Sequence, residues 1–186
     1  TLPELPWEKR ARFKKDYELS DYDASFLANH IDTAHYFETA LKASGNTPAK
    51  MVANWVMGDV SAALKKKEKS FNECPVSPEA LGALLARVAD KTISNNIAKQ
   101  VFEAMWNKEG TADEIIEKRG LKQITDSSAI EKMIDEVIAN NPTQLEQYRS
   151  GKDKLFGYFV GQVMKATKGK ANPEQVNALL KQKLKK

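Results

Sequence analysis

The sequence predicts an all-α protein built of two helical lobes. Apolar residues recur at helical spacing along most of the chain, and helix-capping sequences separate one apolar run from the next. No alternating apolar and polar run of strand length and no Asn-Gly hairpin turn competes with this pattern. With 186 residues, 41% of them hydrophobic and 29% charged, the chain is expected to form one large or two small globular domains.

Three capping sequences mark helices in the first lobe. Thr47-Pro48, Ser77-Pro78 and Ser94 are each predicted to begin a helix, because a side-chain oxygen there accepts from free backbone N–H groups. Gly110 is predicted to end the third helix and the first domain. The apolar stripes of the three helices are Met51, Val52, Trp55, Val56, Val60 and Leu64; Leu81, Leu84, Leu85 and Val88; and Ile97, Val101, Phe102 and Met105.

Four further capping sequences mark the second lobe. Thr111-x-x-Glu114 is predicted to open a short helix that stops at Gly120. Three more predicted helices begin at Ser128-x-x-Glu131, Thr143-x-x-Glu146 and Asn172-Pro173-x-Gln175. We therefore predict a linker over residues 1–15, a helical domain over 16–110 and a helical tail domain over 111–186.

Positive charge is concentrated near the C-terminus. Residues 1–110 hold 15 basic and 15 acidic side chains, whereas residues 149–186 hold 10 basic and 2 acidic ones. A one-sided basic block favours a polyanion, with nucleic acid as the first candidate and an anionic membrane as the second. A solubilising, solvated face is the simplest alternative.

The helix predicted over about 152–167 has one side suited to the core and an opposite side suited to the surface. On a helical wheel, six apolar residues gather on one broad side: Leu155, Phe156, Phe159, Val160, Val163 and Met164. That side is required by the core, so binding to a membrane surface is not expected. The opposite side carries Lys154, Tyr158, Gly161 and Lys165, and Lys168 continues the line.

The predicted outward side suits an anion. Lysines reach phosphates, Tyr158 can stack or donate a hydrogen bond, and Gly161 admits a bulky ligand close to the backbone. An equal alternative for Gly157 and Gly161 is close packing of a neighbouring helix. The turn Lys168-Gly169-Lys170 then leads to Asn172, whose helix is expected to offer free N–H groups to an anion.

Other candidate sites do not predict chemistry. Cys74 has no cysteine or histidine at metal-ligand spacing, and His30 and His35 would lie about 140° apart on a helix. Acidic residues 16–23 are explained by helix N-termini, and Trp55 and Trp106 are core candidates before they are base-stacking platforms. We predict no catalytic, cofactor-binding or metal-binding residue in this chain.

Several strings together resemble a known family. They are L-P-E-L-P at 2–6, Y-E-L-S-x-Y-D-A at 17–24, N-W-V at 54–56, I-A-K-Q-V-F-E-A-M-W at 97–106, G-L-K-Q-I-x-D at 120–126 and G-Q-V-M-K-A-T-K-G-K-A-N-P at 161–173. The chain resembles, over its whole length, the C-terminal half of the B subunit of aspartyl/glutamyl-tRNA amidotransferase. The resemblance implies a helical domain followed by a Yqey-type tail domain.

The resemblance also implies a function. The family's ligase converts Glu-tRNA(Gln) and Asp-tRNA(Asn) to the amidated forms, using ATP and Mg²⁺ in a preceding catalytic domain and glutamine-derived ammonia from a separate amidase. This chain is expected to lack that catalytic domain, to be inactive alone, to bind and position tRNA, and to associate with the A and C subunits of the amidotransferase. The expected location is the cytoplasm, with an organellar matrix as the alternative.

The resemblance covers five site residues directly: Gly161, Gln162, Lys165, Gly169 and Lys170. Geometry adds Lys154, Tyr158 and Lys168 to the predicted tRNA-binding set. The alternative function is a protein-interaction scaffold that joins the catalytic domain to partner subunits.

Overall fold

Helices account for almost all of the regular structure. The computed structural model describes residues 4–185, and the first three residues of the predicted linker and Lys186 lie outside them. The chain divides into two compact units, of which unit 1 ends at Gly120 and unit 2 begins at Leu121. Within the described residues, extended pairing is limited to one isolated bridge between Ile124 and Ala171. The all-α prediction is confirmed.

Residues 4–120 of unit 1 contain eight α-helices. They are α1 (Pro6–Asp16), α2 (Asp21–Ala28), α3 (Ile31–Ala43), α4 (Ala49–Trp55), α5 (Ser61–Lys66), α6 (Pro78–Ala89), α7 (Asn95–Trp106) and α8 (Ala112–Lys118). A π-helical turn, Val56–Val60, joins α4 to α5, and a 3₁₀ turn, Phe71–Glu73, precedes α6. No helix among residues 4–185 is long and apolar enough to cross a membrane.

The structure corrects the linker prediction, because residues 6–16 form α1. Phe13 is fully buried, and its ring packs edge-on against Phe37 with centroids 5.4 Å apart. Arg12 donates hydrogen bonds to Glu4 and to Glu38 of α3. A single buried aromatic and a few ion pairs hold this polar helix, which is why apolar periodicity did not reveal it.

The helices α3 and α6 approach each other closely in the core of unit 1. A Cβ atom added at Gly82 would lie 2.6 Å from both the Ala40 carbonyl oxygen and the Ala43 Cβ. Real side chains do not tolerate such distances, so glycine permits this helix crossing. The caps predicted at Ser77 and Ser94 are confirmed, since their hydroxyls accept from the N–H groups of Ala80 and Ile97.

The helix predicted after Thr47 is interrupted and is not capped by that residue. The Thr47 hydroxyl donates to the carbonyl of Ser44, and no side chain caps α4. The π turn inserts extra backbone between α4 and α5. The predicted apolar stripe is nevertheless buried except at Met51, which is half-buried.

The short helix α8 belongs to unit 1, so the units divide later than the predicted boundary at 110/111. The capping box at Thr111 and Glu114 is confirmed, and Gly120 ends the segment at a φ of 58°. Arg87 of α6 donates to both carboxylate oxygens of Asp113, at 2.7 and 3.0 Å. Ile115 is also buried. These contacts to α6 and α7 move the division beyond Gly110.

Over its described residues, 121–185, unit 2 contains four α-helices around a shared core. They are α9 (Ser127–Ala139), α10 (Pro142–Arg149), α11 (Leu155–Ala166) and α12 (Pro173–Leu184). The core residues are Ile130, Ile134, Val137, Phe159, Val163, Ala171, Val176, Leu180 and Leu184.

Two of the caps predicted for unit 2 are corrected. Asp126 rather than Ser128 caps α9, because its carboxylate accepts from the Ser128 N–H at 3.0 Å. Pro142 begins α10, so Thr143 lies inside the helix and caps nothing. The cap at Asn172 is confirmed.

Candidate nucleic-acid interface

The helix α11 is fixed by its apolar side. Phe159 and Val163 are fully buried, and Phe156, Val160 and Met164 pack against the same core while remaining half-buried. This confirms the core side of the predicted wheel. The rotation of α11 about its axis is therefore set, and the residues opposite Phe159 and Val163 face outward.

A tight turn ends α11 and presents the basic residues that follow. Lys168 and Gly169 both adopt left-handed backbone, with φ of 53° and 75°. The Gly169 N–H donates to the Met164 carbonyl at 2.7 Å, as in a helix-ending Schellman turn. The buried Thr167 hydroxyl donates back to the Val163 carbonyl at 3.0 Å. The turn is thus closed by its own hydrogen bonds.

The segment after the turn is tied to the start of unit 2. The Ile124 N–H donates to the Lys170 carbonyl at 2.6 Å, and the Asn172 N–H donates to the Ile124 carbonyl at 3.2 Å. Ala171, between them, is fully buried. These bonds hold the backbone of Lys170 in place while leaving its side chain half-buried.

Three lysines gather at this end of the helix. We call Lys165, Lys168 and Lys170 the tail lysine cluster. Lys165 and Lys168 are exposed, and none of the three forms an ion pair within residues 4–185. Lys183 of α12 differs, since it binds Asp135 of α9 at 2.6 Å. The cluster is accordingly a patch of uncompensated positive charge.

Lys154 does not join this cluster. It lies immediately before α11, whereas Lys165 lies in the last turn. At 1.5 Å per residue the two positions are about 16 Å apart along the axis. Gly161 lies one turn before Lys165 on the same stripe, and Gln162 beside it is half-buried.

The outward position predicted for Tyr158 is wrong. Its ring packs against the core of unit 2, 5.7 Å from the ring of Phe159, and its hydroxyl donates to the Asn141 side-chain oxygen at 2.7 Å. The long side chain reaches sideways to the turn between α9 and α10, which a wheel of Cα directions does not show.

The structure tests one of the two explanations offered for the helix glycines, close packing of a neighbouring helix. A Cβ added at Gly157 or at Gly161 would meet no described atom within 4 Å. Neither glycine therefore provides close packing of a neighbouring helix within unit 2. Both lie on an open surface.

The N-terminus of α12 is not the free anion site that the sequence suggested. The Asn172 side-chain oxygen already accepts from the N–H groups of Glu174 and Gln175, at 2.9 and 3.3 Å. Glu174 adds a carboxylate to the first turn. An anion at the tail lysine cluster would hence be bound by side chains rather than by this helix end.

The remaining candidates show no site chemistry. Within the described ranges, no three His, Cys, Asp or Glu side chains lie close enough together to hold a metal ion. Asp21 pairs with Arg10 and Lys14, and Asp23 pairs with Lys50. Cys74 is half-buried, and burial raises the pKa of its thiol, so it is a poor nucleophile at neutral pH.

One basic feature of unit 1 was missed. Lys65, Lys66, Lys67 and Lys69 surround the end of α5, and all four are exposed. The even charge count over residues 1–110 concealed this run because acidic residues elsewhere balance it. A shorter counting window would have found it.

Comparison with known proteins assigns the family. The model of the family described as GatB domain matches residues 35–184. The chain belongs to the GatB domain family. A GatB-family relative in Coxiella burnetii, the B subunit of an aspartyl/glutamyl-tRNA(Asn/Gln) amidotransferase, is 62% identical over 98% of this chain. Proteins of the same name are 64% identical in Thioalkalivibrio sulfidiphilus and 59% identical in Nitrosococcus oceani, each over 99% of the chain.

The chain matches only part of each relative. The chain spans 38% of the length of each of these relatives, in their C-terminal region. The GatB domain itself begins within α3, at residue 35, so α1 and α2 precede it.

Proposed function

We propose that this chain is a tRNA-binding, non-catalytic part of the B subunit of a tRNA-dependent amidotransferase. In this proposal it positions misacylated Glu-tRNA(Gln) or Asp-tRNA(Asn) for ATP-dependent transamidation by the whole enzyme. The observation that carries the proposal is the tail lysine cluster, which is uncompensated and held on a hydrogen-bonded turn. The names of the relatives, which specify tRNA(Asn/Gln), support tRNA as the polyanion.

The geometry favours contact with phosphates rather than with base edges. Lysine is a flexible point charge that neutralises phosphates without reading sequence. Folded RNA is mostly recognised by shape and backbone, and its major groove is too narrow for side chains. Exposed lysines beside the open surface of Gly161 suit the backbone of a folded RNA.

In this proposal, the cofactors and the chemistry of the whole enzyme lie outside this chain. ATP and Mg²⁺ belong to the part of the relatives that this chain does not span, as does the transfer of ammonia. The A and C subunits of the amidotransferase are the proposed protein partners, and the cytoplasm or an organellar matrix is the proposed location.

A salt titration tests the proposal. Each neutralised phosphate releases counterions, so affinity for RNA falls steeply with salt concentration. If about four phosphates are neutralised, binding to transcript tRNA should fall on the order of a hundredfold between about 50 and 200 mM salt. Filter binding measures this slope, and an affinity independent of salt would reject the proposal.

A second candidate function is supported by a different observation. Among residues 4–31 of unit 1, five large apolar side chains are exposed: Leu5, Trp7, Tyr22, Phe26 and Ile31. Trp7 is 67% exposed and Tyr22 73% exposed, which is unusual for side chains of this size. This surface suits a protein scaffold that joins a catalytic domain to partner subunits.

The two functions are separable. A chain that shifts tRNA but does not bind the amidase supports the first. A chain that co-purifies with the amidase and shows no tRNA shift supports the scaffold.

A further inference from the structure

A groove in unit 1 lies between α5 and α7. Its cavity volume is about 330 Å³. Ala63 and Lys66 of α5, with Lys67 directly after the helix, form one wall of the groove. The α7 wall, a single face, comprises Lys99, Phe102, Glu103, Trp106 and Asn107.

A series of neighbouring aromatic rings extends from the core of unit 1 to this groove. The rings of Trp55 and Phe102 lie 5.8 Å apart, and those of Phe102 and Trp106 lie 5.9 Å apart. Trp55 and Phe102 are 3% and 6% exposed, whereas Trp106 is only half-buried. Trp106 therefore offers the groove an aromatic surface, and its ring packs against that of Phe102.

The rim of the groove carries free positive charge. Lys66 and Lys67 are exposed and form no ion pair in the described part of the chain. Lys99 is partly compensated by Asp59, at 3.4 Å. Glu103 adds one negative charge to the lining, while Lys65 and Lys69 flank the rim on the same helix end.

The π turn contributes directly to the groove. Asp59, a member of the turn Val56–Val60, lines it. Turns of this kind insert one extra residue into a helix and are frequent at functional sites. The interruption of this helix thus coincides with the place where aromatic and basic side chains meet.

We propose that the groove binds one unpaired nucleotide of an RNA, with the base against Trp106 and a flanking phosphate at Lys66 and Lys67. Aromatic side chains beside a basic surface are the common means of holding single-stranded nucleic acid. The cavity volume lies at the lower end of small-molecule sites, which suits one nucleotide and not a longer stacked segment. A duplex keeps its base faces stacked internally and cannot present one to Trp106.

This inference goes beyond the proposed function. The groove lies in unit 1 and uses no residue of the tail lysine cluster. A free mononucleotide shares the same chemistry of base and phosphate, so the experiment includes both sources.

The test measures binding of the 186-residue chain to a fluorescently labelled six-nucleotide single-stranded RNA by anisotropy. Trp106→Leu keeps an apolar side chain but removes the stacking surface, and it should weaken binding by about tenfold or more. Trp7→Leu is the matched control, because Trp7 is an exposed tryptophan of unit 1 outside the groove. It should leave binding unchanged.

The charge variant has a matched control on the same helix end. Lys66→Glu with Lys67→Glu should weaken binding by more than about tenfold, whereas Lys65→Glu with Lys69→Glu, which makes the same change in net charge, should weaken it by less than about threefold. Circular dichroism melting checks that each variant is folded.

Three results would overturn the inference. Equal losses in the two tryptophan variants, or in the two lysine pairs, would show that the groove is not the site. Equally effective competition by a duplex of the same length would show that no unpaired base is needed. Binding of AMP as tightly as the hexanucleotide would assign the groove to a free nucleotide rather than to RNA. The tail is tested separately, by the effect of Lys165→Glu with Lys170→Glu on tRNA binding.

Discussion

The phenol of Tyr158 donates a 2.7 Å hydrogen bond to the side-chain oxygen of Asn141, and so joins α11 to the turn between α9 and α10. Asn141 in turn donates from its amide to the Val137 carbonyl at 2.7 Å. The two bonds form a short chain that ties three helices of unit 2 together. Tyr158 consequently has a structural partner at the position where the sequence suggested an RNA contact.

Replacing Tyr158 with phenylalanine should affect stability rather than RNA binding. Loss of the bond leaves the Asn141 side-chain oxygen without its hydrogen-bond donor and should lower the free energy of unfolding by about 1 kcal/mol. Urea denaturation followed by far-ultraviolet circular dichroism measures it. Tyr148→Phe is the control, since no hydrogen bond from Tyr148 is present within residues 4–185. A loss of tRNA affinity at unchanged stability would restore Tyr158 to the interface.

Charge reversal at Lys165 and Lys170 should separate binding from folding. Exposed lysines contribute little to stability, so the melting temperature should stay within about 2 °C. Affinity for tRNA at about 100 mM salt should fall at least about tenfold, and the salt dependence should become shallower.

The control for this reversal lies on α12. Lys181→Glu with Lys185→Glu makes the same change in net charge on exposed residues of unit 2, away from the turn after α11. If this pair weakens tRNA binding as much as the first, the effect is one of overall charge and the tail lysine cluster is not a docking site.

Gly161 and Gly157 form a matched pair on one helix. Both are exposed and open, so alanine at either should stabilise unit 2 by roughly 0.5–1 kcal/mol through helix propensity. Gly161 shares its stripe with Lys165, and alanine there should also reduce tRNA affinity by holding the RNA away from the backbone. Filter binding with both variants decides this, and equal affinities would leave Gly161 without a role in docking.

Sequence reasoning succeeded where one side chain decides the structure. Ser77, Ser94, Thr111 and Asn172 cap helices as predicted, because a capping side chain acts on N–H groups only two or three residues away. The apolar side of α11 was found for the same reason, since its period is local.

Sequence analysis failed where contacts between distant segments determine the structure. Phe13 buries α1 against α3, and Arg87 fixes α8 to α6, across 24 and 26 residues of chain. Neither partner is visible in a local window. The course of the Tyr158 side chain likewise depends on where the turn at Asn141 lies in space.

The ion pair between Asp23 and Lys50 should make unit 1 sensitive to acid. Asp23 is 5% exposed, and its hydrogen bond with Lys50 holds the pKa of its carboxyl below the usual value of 3.8. A carboxyl whose pKa is lower in the folded state stabilises the fold above its unfolded pKa and loses that contribution as the pH falls through the folded value. Asp23→Asn should therefore cost about 1–2 kcal/mol at about pH 7. The difference from the unmodified protein should shrink as the pH falls from about 5 to about 3.

Tryptophan fluorescence during urea denaturation reports on unit 1 alone, because Trp7, Trp55 and Trp106 all lie there. Asp21→Asn is the control, since Asp21 is 59% exposed and its pairs with Arg10 and Lys14 are screened by solvent. A cost for Asp23→Asn that stays constant from about pH 7 to about pH 3 would show that the ion pair does not stabilise the fold.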